Sequence, residues 1–233
     1  VAIDRAFDEV PVAAPETEFI YSDINFFLLG EVVARVSGLS LDEFADARIF
    51  RPLGMRDTWF EPPPTLRARI APTERCRPLG WPCGGSDGTM LRGTVHDPTS
   101  RRMGGIAGHA GLFGTAADLV RFTRMLIGGG TLEGSRVLAP LTVARMTEPA
   151  TPRGMRDRRG LGWDIDSRYS SNRGDLFSHG SFGHTGFTGT SIWVDPPSQT
   201  VVIFLSNRVH PAGGGNVTAL RGRVATLAAA AIA

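Results

Sequence analysis

A chain of 233 residues, 42% hydrophobic and 21% charged, holds enough apolar sequence for one good core and is too balanced for long-range disorder. Its 25 basic and 23 acidic residues leave a formal net charge of +2 and form no basic stripe with interleaved aromatics, which excludes nucleic acid as the expected partner. No apolar run of about eighteen residues occurs, so no membrane partner is expected; with no signal peptide visible, the chain as it stands reads as cytoplasmic.

In chain order, Ser22 is placed to cap a helix. Its apolar positions Ile24, Phe27, Leu28, Val32 and Val36 keep the helical period, and Gly38 stops it. Ser40-Leu41-Asp42-Glu43 has the form of a capping box, predicting a second helix to about Phe50. From Arg51 to Gly114 prolines and glycines dominate, and a long irregular stretch of this kind is usually functional. Within it, Cys76 and Cys83 bracket CRPLGWPC; two cysteines do not make a framework, so free thiols are expected. Gly84-Gly85-Ser86-Asp87-Gly88 matches Gly-x-Ser-x-Gly literally. It lacks the strand before and the helix after that a nucleophile elbow needs, and so reads as a turn.

Thr115-Ala116-Ala117-Asp118 opens another helix, ended by Gly128-Gly129-Gly130, and a short one follows near Leu141 to Met146. The period then changes. Leu161 to Asp166, Phe182 to Gly186, Thr188 to Asp195 and Thr200 to Ser206 read as strands, with Asp195-Pro196-Pro197-Ser198-Gln199 turning between the last two. Asn216 to Ile232 reads as an amphipathic helix. Helices first, then an antiparallel meander closed by a helix, is α+β order. One domain over 1–233 is expected, with a helical lobe at about 22–150 and a sheet with its C-terminal helix at about 160–233.

Two short motifs carry chemistry. Tyr21-Ser22-Asp23 opens the first helix of the series, and His184-Thr185-Gly186 sits in a predicted strand. Together they resemble the second and third motifs of the serine β-lactamase, penicillin-binding protein (DD-peptidase) and family VIII esterase superfamily. Three blocks carry the likeness in the same order: Tyr21 to Thr58, Gly93 to Phe122, which is similar to a class C-like branch, and Phe182 to His210. The resemblance implies a β-lactamase-like fold, an antiparallel sheet flanked by helices, truncated by the portion that carries Ser-x-x-Lys. In that first motif the serine attacks a carbonyl and the lysine helps take its proton. All 25 basic residues here are arginine, so the chain cannot contain it. The all-arginine usage, with abundant Ala, Gly and Pro, points to a GC-rich bacterial gene.

The resemblance implies catalytic roles for Tyr21, Asp23 and His184 and substrate binding along Thr185 and Gly186. Tyr21 reads either as a donor to a developing oxyanion or as an inherited helix-start residue. A phenol titrates near 10 and needs adjacent positive charge to act as a base. Gly183, Gly186 and Gly189 equally suit a tight, bulged strand. Of the five histidines, His96 (beside Asp97), His109 and His184 fall within the matching blocks, so Tyr21, His184 and at least one of His96 and His109 are expected around one site. His96, Asp97, His109 and His184 could instead ligate a divalent metal such as zinc, whose bound water would have a pKa near 7. Their spacing matches no zinc motif such as His-Glu-x-x-His.

The expectation is therefore a hydrolase of carboxyl esters or phosphoesters, acting on a small ester-like substrate with water activated by a metal or a histidine. Its alternatives are an inactive remnant, a ligand-binding module, or one half of a two-chain serine hydrolase. In the family the N-terminal strands pair beside the strand matching Thr200–Ser206, whose apolar run Val201 to Leu205 expects cover. A homodimer, by edge pairing or by exchange of Val1–Glu18, is the assembly expected.

Overall fold

Helices α1 (Ala2–Asp8) and α2 (Ile24–Ser37) open the chain. The Ser22 hydroxyl accepts the Ile24 N–H at 3.3 Å, while Asp23, bordering the helix, already has helical backbone angles. α2 ends as expected at Gly38, whose φ of +72° suits a residue without Cβ and whose N–H bonds the Ala34 carbonyl. The predicted capping box starts α3 (Leu41–Ala45): the Glu43 carboxylate accepts the Ser40 backbone N–H at 3.0 Å and its hydroxyl at 2.9 Å. The coil runs past the expected end at Phe50, through a wide π turn at Asp46–Phe50 into α4 (Arg51–Leu53), and stops at left-handed Gly54.

The irregular stretch contains a 3-10 turn at Pro64–Arg69 and the short helix α5 (Pro98–Arg102). Then come α6 (Ala116–Ile127), a small hairpin of β1 (Thr131–Leu132) and β2 (Ser135–Arg136), and α7 (Pro140–Thr147). This computed structural model describes residues 2–76 and 88–232. The chain divides into two compact units, one of Val1–Val12, Ile20–Asp118 and Val209–Gly214, the other of Ala13–Phe19, Leu119–Arg208 and Gly215–Ala233. Cys83 and Gly84 to Asp87 lie outside the described residues. Cys76 is buried and disulfide-bonded, which corrects the expectation of a free thiol there. Paired backbone bonds, Cys76 N–H to Thr89 O at 2.9 Å and Gly88 N–H to Cys76 O at 3.0 Å, draw the two ends of that loop together.

The second unit is built on a five-stranded antiparallel sheet in the order β3 (Arg158–Arg159), β4 (Asp164–Asp166), β5 (Phe182–Thr185), β6 (Ser191–Asp195), β7 (Thr200–Phe204). This is the predicted meander plus one strand, β3, that the sequence did not announce. All four predicted strands are shorter than expected, β5 and β7 by one and two residues at their ends. Gly162, at φ +82°, keeps Leu161 to Trp163 out of β4, and Gly186 to Thr190 is spent on a tight turn before β6.

Helix α8 (Thr218–Ala230) packs on this sheet, its Ala225 joining Phe177, Trp193 and Val202 in one cluster with Val224, Ala228 and Ala229 alongside. It is not the apolar-faced amphipathic helix expected. The face it buries consists of Arg221 and small residues, while Leu220 and Leu227 face solvent.

The sheet's register depends on Gly183, which sits opposite Trp193. A Cβ added at Gly183 would run into the Trp193 indole and the Ile192 carbonyl. Gly183→Ala is therefore expected to destabilise the protein by about 1–3 kcal/mol, the usual cost of overpacking, read as a lowered urea midpoint at constant slope.

Candidate functional site

In the second unit β5 carries His184 and Thr185, and Gly186 follows at its end. Its alternation puts Gly183 and Thr185 on one face and Phe182 and His184 on the other. β6 pairs with β5 along its whole length, from Phe182↔Val194 to Thr185↔Ser191, whereas β4 meets it at one register position, Asp164↔Gly183. The motif thus runs on past the one position at which β4 pairs with β5.

His184 Nδ1 lies 2.9 Å from the Thr185 carbonyl, which can only accept, so Nδ1 carries the proton and Nε2 the lone pair of the neutral ring. Burial, and then the nearby Arg159 guanidinium, push its pKa below the ordinary histidine value, against the Thr185 bond and the Asp164 charge. The imidazole is accordingly neutral at pH 7 and presents a base rather than a cation. Arg159 on β3 and Asp164 on β4 face each other at 3.6 Å, and Asp164 also accepts the Ser167 and Ser170 hydroxyls at 2.8 and 3.0 Å. The Arg159 guanidinium lies over the Phe19 ring at 5.3 Å.

In the first unit Tyr21 is 51% exposed at the start of α2, and the Asp23 carbonyl accepts the N–H groups of Phe26 and Phe27. His109 and Asp97 are brought together: Nε2 to Oδ1 is 2.9 Å, and the same carboxylate oxygen caps α5 by accepting the Ser100 N–H at 2.7 Å. Burial alone would raise the Asp97 pKa, but the bonds from His109 and Ser100 outweigh it and hold the carboxyl below its usual range. The His109 side chain, 4% exposed, meets the Phe27 ring edge-on at 4.5 Å, which ties the helix after Tyr21 to the glycine-rich loop. His96 bonds Glu74 instead, at 2.9 Å.

Tyr21, Asp23, His96, Asp97 and His109 belong to the first unit and His184, Thr185 and Gly186 to the second. Among the described residues no group of three or more His, Cys, Asp or Glu side chains could hold a metal ion. His96 and His109 each direct Nε2 at a carboxylate, that of Glu74 and that of Asp97. Sequence reasoning missed Glu74, Arg159 and Asp164. None of them stands in a motif, and only the folded register brings them to the histidines.

Solved structures share this fold. A β-lactamase from Mycobacterium bovis superposes with a TM-score of 0.61 at 23% identity, over 92% of this chain and 64% of its own. EstCE1, a hydrolase with promiscuous acyltransferase activity, gives 0.64 at 24% identity, over 92% and 57%. A penicillin-binding protein homologue from Caulobacter crescentus gives 0.62 at 21%, over 89% and 57%. These likenesses define the class: an α+β fold of the β-lactamase type.

The Beta-lactamase family model matches residues 2–227, and the chain belongs to the β-lactamase family. A protein of Salmonella gallinarum described as "Putative D-alanyl-D-alanine carboxypeptidase" is 31% identical over 207 residues, 84% of this chain and 46% of that protein. The chain thus spans about half the length of the curated relatives it matches.

A depressed histidine pKa means that the folded state binds its proton less readily than the unfolded chain. The stability it contributes is complete above the unfolded value of 6.5 and declines as pH falls from there through the folded pKa. Thermal unfolding between pH 7.5 and about 5 is therefore expected to show a smaller acid-side drop in Tm for His184→Gln than for the wild type. An equal drop in both proteins would remove His184 from the acid response.

Proposed function

We propose that this chain provides the substrate-orienting part of an acyl hydrolase acting on carboxyl esters or on peptides ending in D-alanyl-D-alanine. The observation that carries this reading is β5, which extends His184 and Thr185 beyond its single-residue pairing with β4 and leads into Gly186. An extended strand can receive a peptide-like or ester substrate as one more strand, by main-chain hydrogen bonds. The printed descriptions of the Salmonella relative and of EstCE1 supply the two substrate classes.

On this reading Thr185 and Gly186 align the scissile carbonyl. His184, neutral with its lone pair on Nε2, accepts a proton. The Ser-x-x-Lys pair is not formed within a chain that has no lysine, so the nucleophile comes from outside these residues.

A second reading keeps activation inside the chain, with His184 deprotonating a water directly. Its support is the fixed Nδ1–H tautomer, which leaves Nε2 as an acceptor.

The chain alone, and the chain mixed with a polypeptide carrying a Ser-x-x-Lys helix built on the Salmonella relative, should be assayed with p-nitrophenyl acetate and fluorescent penicillin. Acylation and turnover are expected only in the mixture, with Thr185→Val lowering turnover there by about tenfold or more, as loss of one aligning hydrogen bond does. Turnover by the chain alone that His184→Ala abolishes would establish the second reading. Turnover that a chelator removes reversibly would restore the metal.

Assembly follows from the sheet. Among the described residues β7 hydrogen-bonds to β6 alone, and Phe19, at the end of the N-terminal segment, lies under Arg159 of β3, the strand at the opposite edge. We propose that a second copy pairs along β7, so light scattering at micromolar concentration is expected to give twice the mass of the chain. A monomer mass there would rule the dimer out.

A further inference from the structure

Arg221 lies on the buried face of α8 and is only 7% exposed. No carboxylate pairs with it among the described residues, and its charged neighbour is another cation, Arg208. A guanidinium buried without a counter-charge is costly and is retained only where its hydrogen bonds matter. Its Nη2 donates to two backbone carbonyls, Gly186 at 2.9 Å and Thr190 at 2.8 Å.

Those carbonyls are the first and last of the turn that leaves β5 and enters β6. The turn closes on itself through Gly186 N–H to Thr190 O at 2.7 Å and Gly189 N–H to Gly186 O at 3.1 Å. Gly189 holds φ +125°, a conformation open to glycine. From the other side, the Ser206 hydroxyl donates to Gly189 O at 2.7 Å and Arg208 Nε to Phe187 O at 2.6 Å. The middle of the turn is thus held from the chain that follows β7, while its two ends are held by Arg221.

We propose that Arg221 is a positioning residue: by gripping the carbonyls of Gly186 and Thr190 it fixes the angle at which Thr185 and Gly186 are presented along β5. The inference rests on the reading that this stretch of β5 meets substrate, and its test separates the two. A planar guanidinium suits the task because one nitrogen can direct two N–H bonds at two carbonyls in a fixed plane, which a lysine ammonium on a shorter stem does less well. Arg221 touches no reacting atom, so its effect on chemistry is transmitted through the turn.

Amide hydrogen exchange by NMR reads the turn directly. In Arg221→Met the Gly186 and Gly189 amides are expected to exchange about ten- to a hundredfold faster, while amides of β6 and β7 stay within about twofold of wild type. Arg221→Lys should fall between the two, a partial rescue by the retained cation. Thr226→Ala, which removes contacts to Asp175 and Gly222 from the same helix, should leave both glycine amides at wild-type rates. In the active mixture, Arg221→Met should raise KM by a larger factor than it lowers kcat.

Wild-type exchange at Gly186 and Gly189 in Arg221→Met overturns the proposal, as does equal loosening of the whole sheet or the same loosening in Thr226→Ala. If Arg221→Met does not fold, wild-type rates at those amides in Arg221→Lys overturn it and faster rates support it. Failure of the mixture to turn over ester would remove the functional reading, while the exchange result would still decide what Arg221 does.

Discussion

The contact on which the second unit depends is the Trp193 indole lying against Gly183. Trp193 is almost wholly buried, and its indole N–H donates to the Ser181 hydroxyl at 2.9 Å. On its far side it packs with Phe177, Val202 and Ala225. Because Gly183 has no side chain, β5 and β6 can hold the indole flat between strand and helix. The other face of β5 is covered by an aromatic series: Phe182 meets Trp163 edge-on at 5.2 Å, and Trp163 stacks with Phe122 at 6.5 Å. β5 is therefore fixed from both faces before any polar group is considered, and His184 inherits its orientation from that packing.

Buried carboxylates organise the loops that the apolar core does not reach. Asp195 accepts the backbone N–H and hydroxyl of both Ser178 and Ser198, which closes the turn between β6 and β7. Burial works against its ionisation, yet those four bonds hold its carboxyl below the ordinary range. Asp118 does the same for the Asp57 N–H and the Thr58 hydroxyl at 2.8 Å each, within the irregular stretch. In a chain with so much proline and glycine, such acceptors replace the ladders that regular structure would have supplied.

Much of the fold was legible because its signals are local. The capping box at Ser40, the Gly38 stop and the Asp195 to Gln199 turn each act within a few residues, and each appears where the sequence puts it. What was not legible depends on register or on long range. β3 is two residues of Arg-Arg with no periodicity, and its existence comes from pairing with β4. The α8 helix looked amphipathic because leucines recur in it, but the sheet leaves room only for small side chains, so the leucines face out. At the site, His184-Thr185-Gly186 and the Asp97 and His109 region were readable as blocks. That His109 pairs with Asp97 while His96 pairs with Glu74, 22 residues away, is a choice made by the folded loop.

The close seat of α8 inverts the usual vulnerability of a core. Where leucines and phenylalanines fill an interface, evolution and mutation damage it mostly by removing atoms. Here Gly222 already stands where a Cβ would press on the Ser171 carbonyl, and a Cβ on Gly174 would press on Thr226. Along this seam a gained methyl group is the dangerous change. Gly222 and Gly174 thus act as fixed spacers between the helix and the 3-10 turn at Ser170–Arg173.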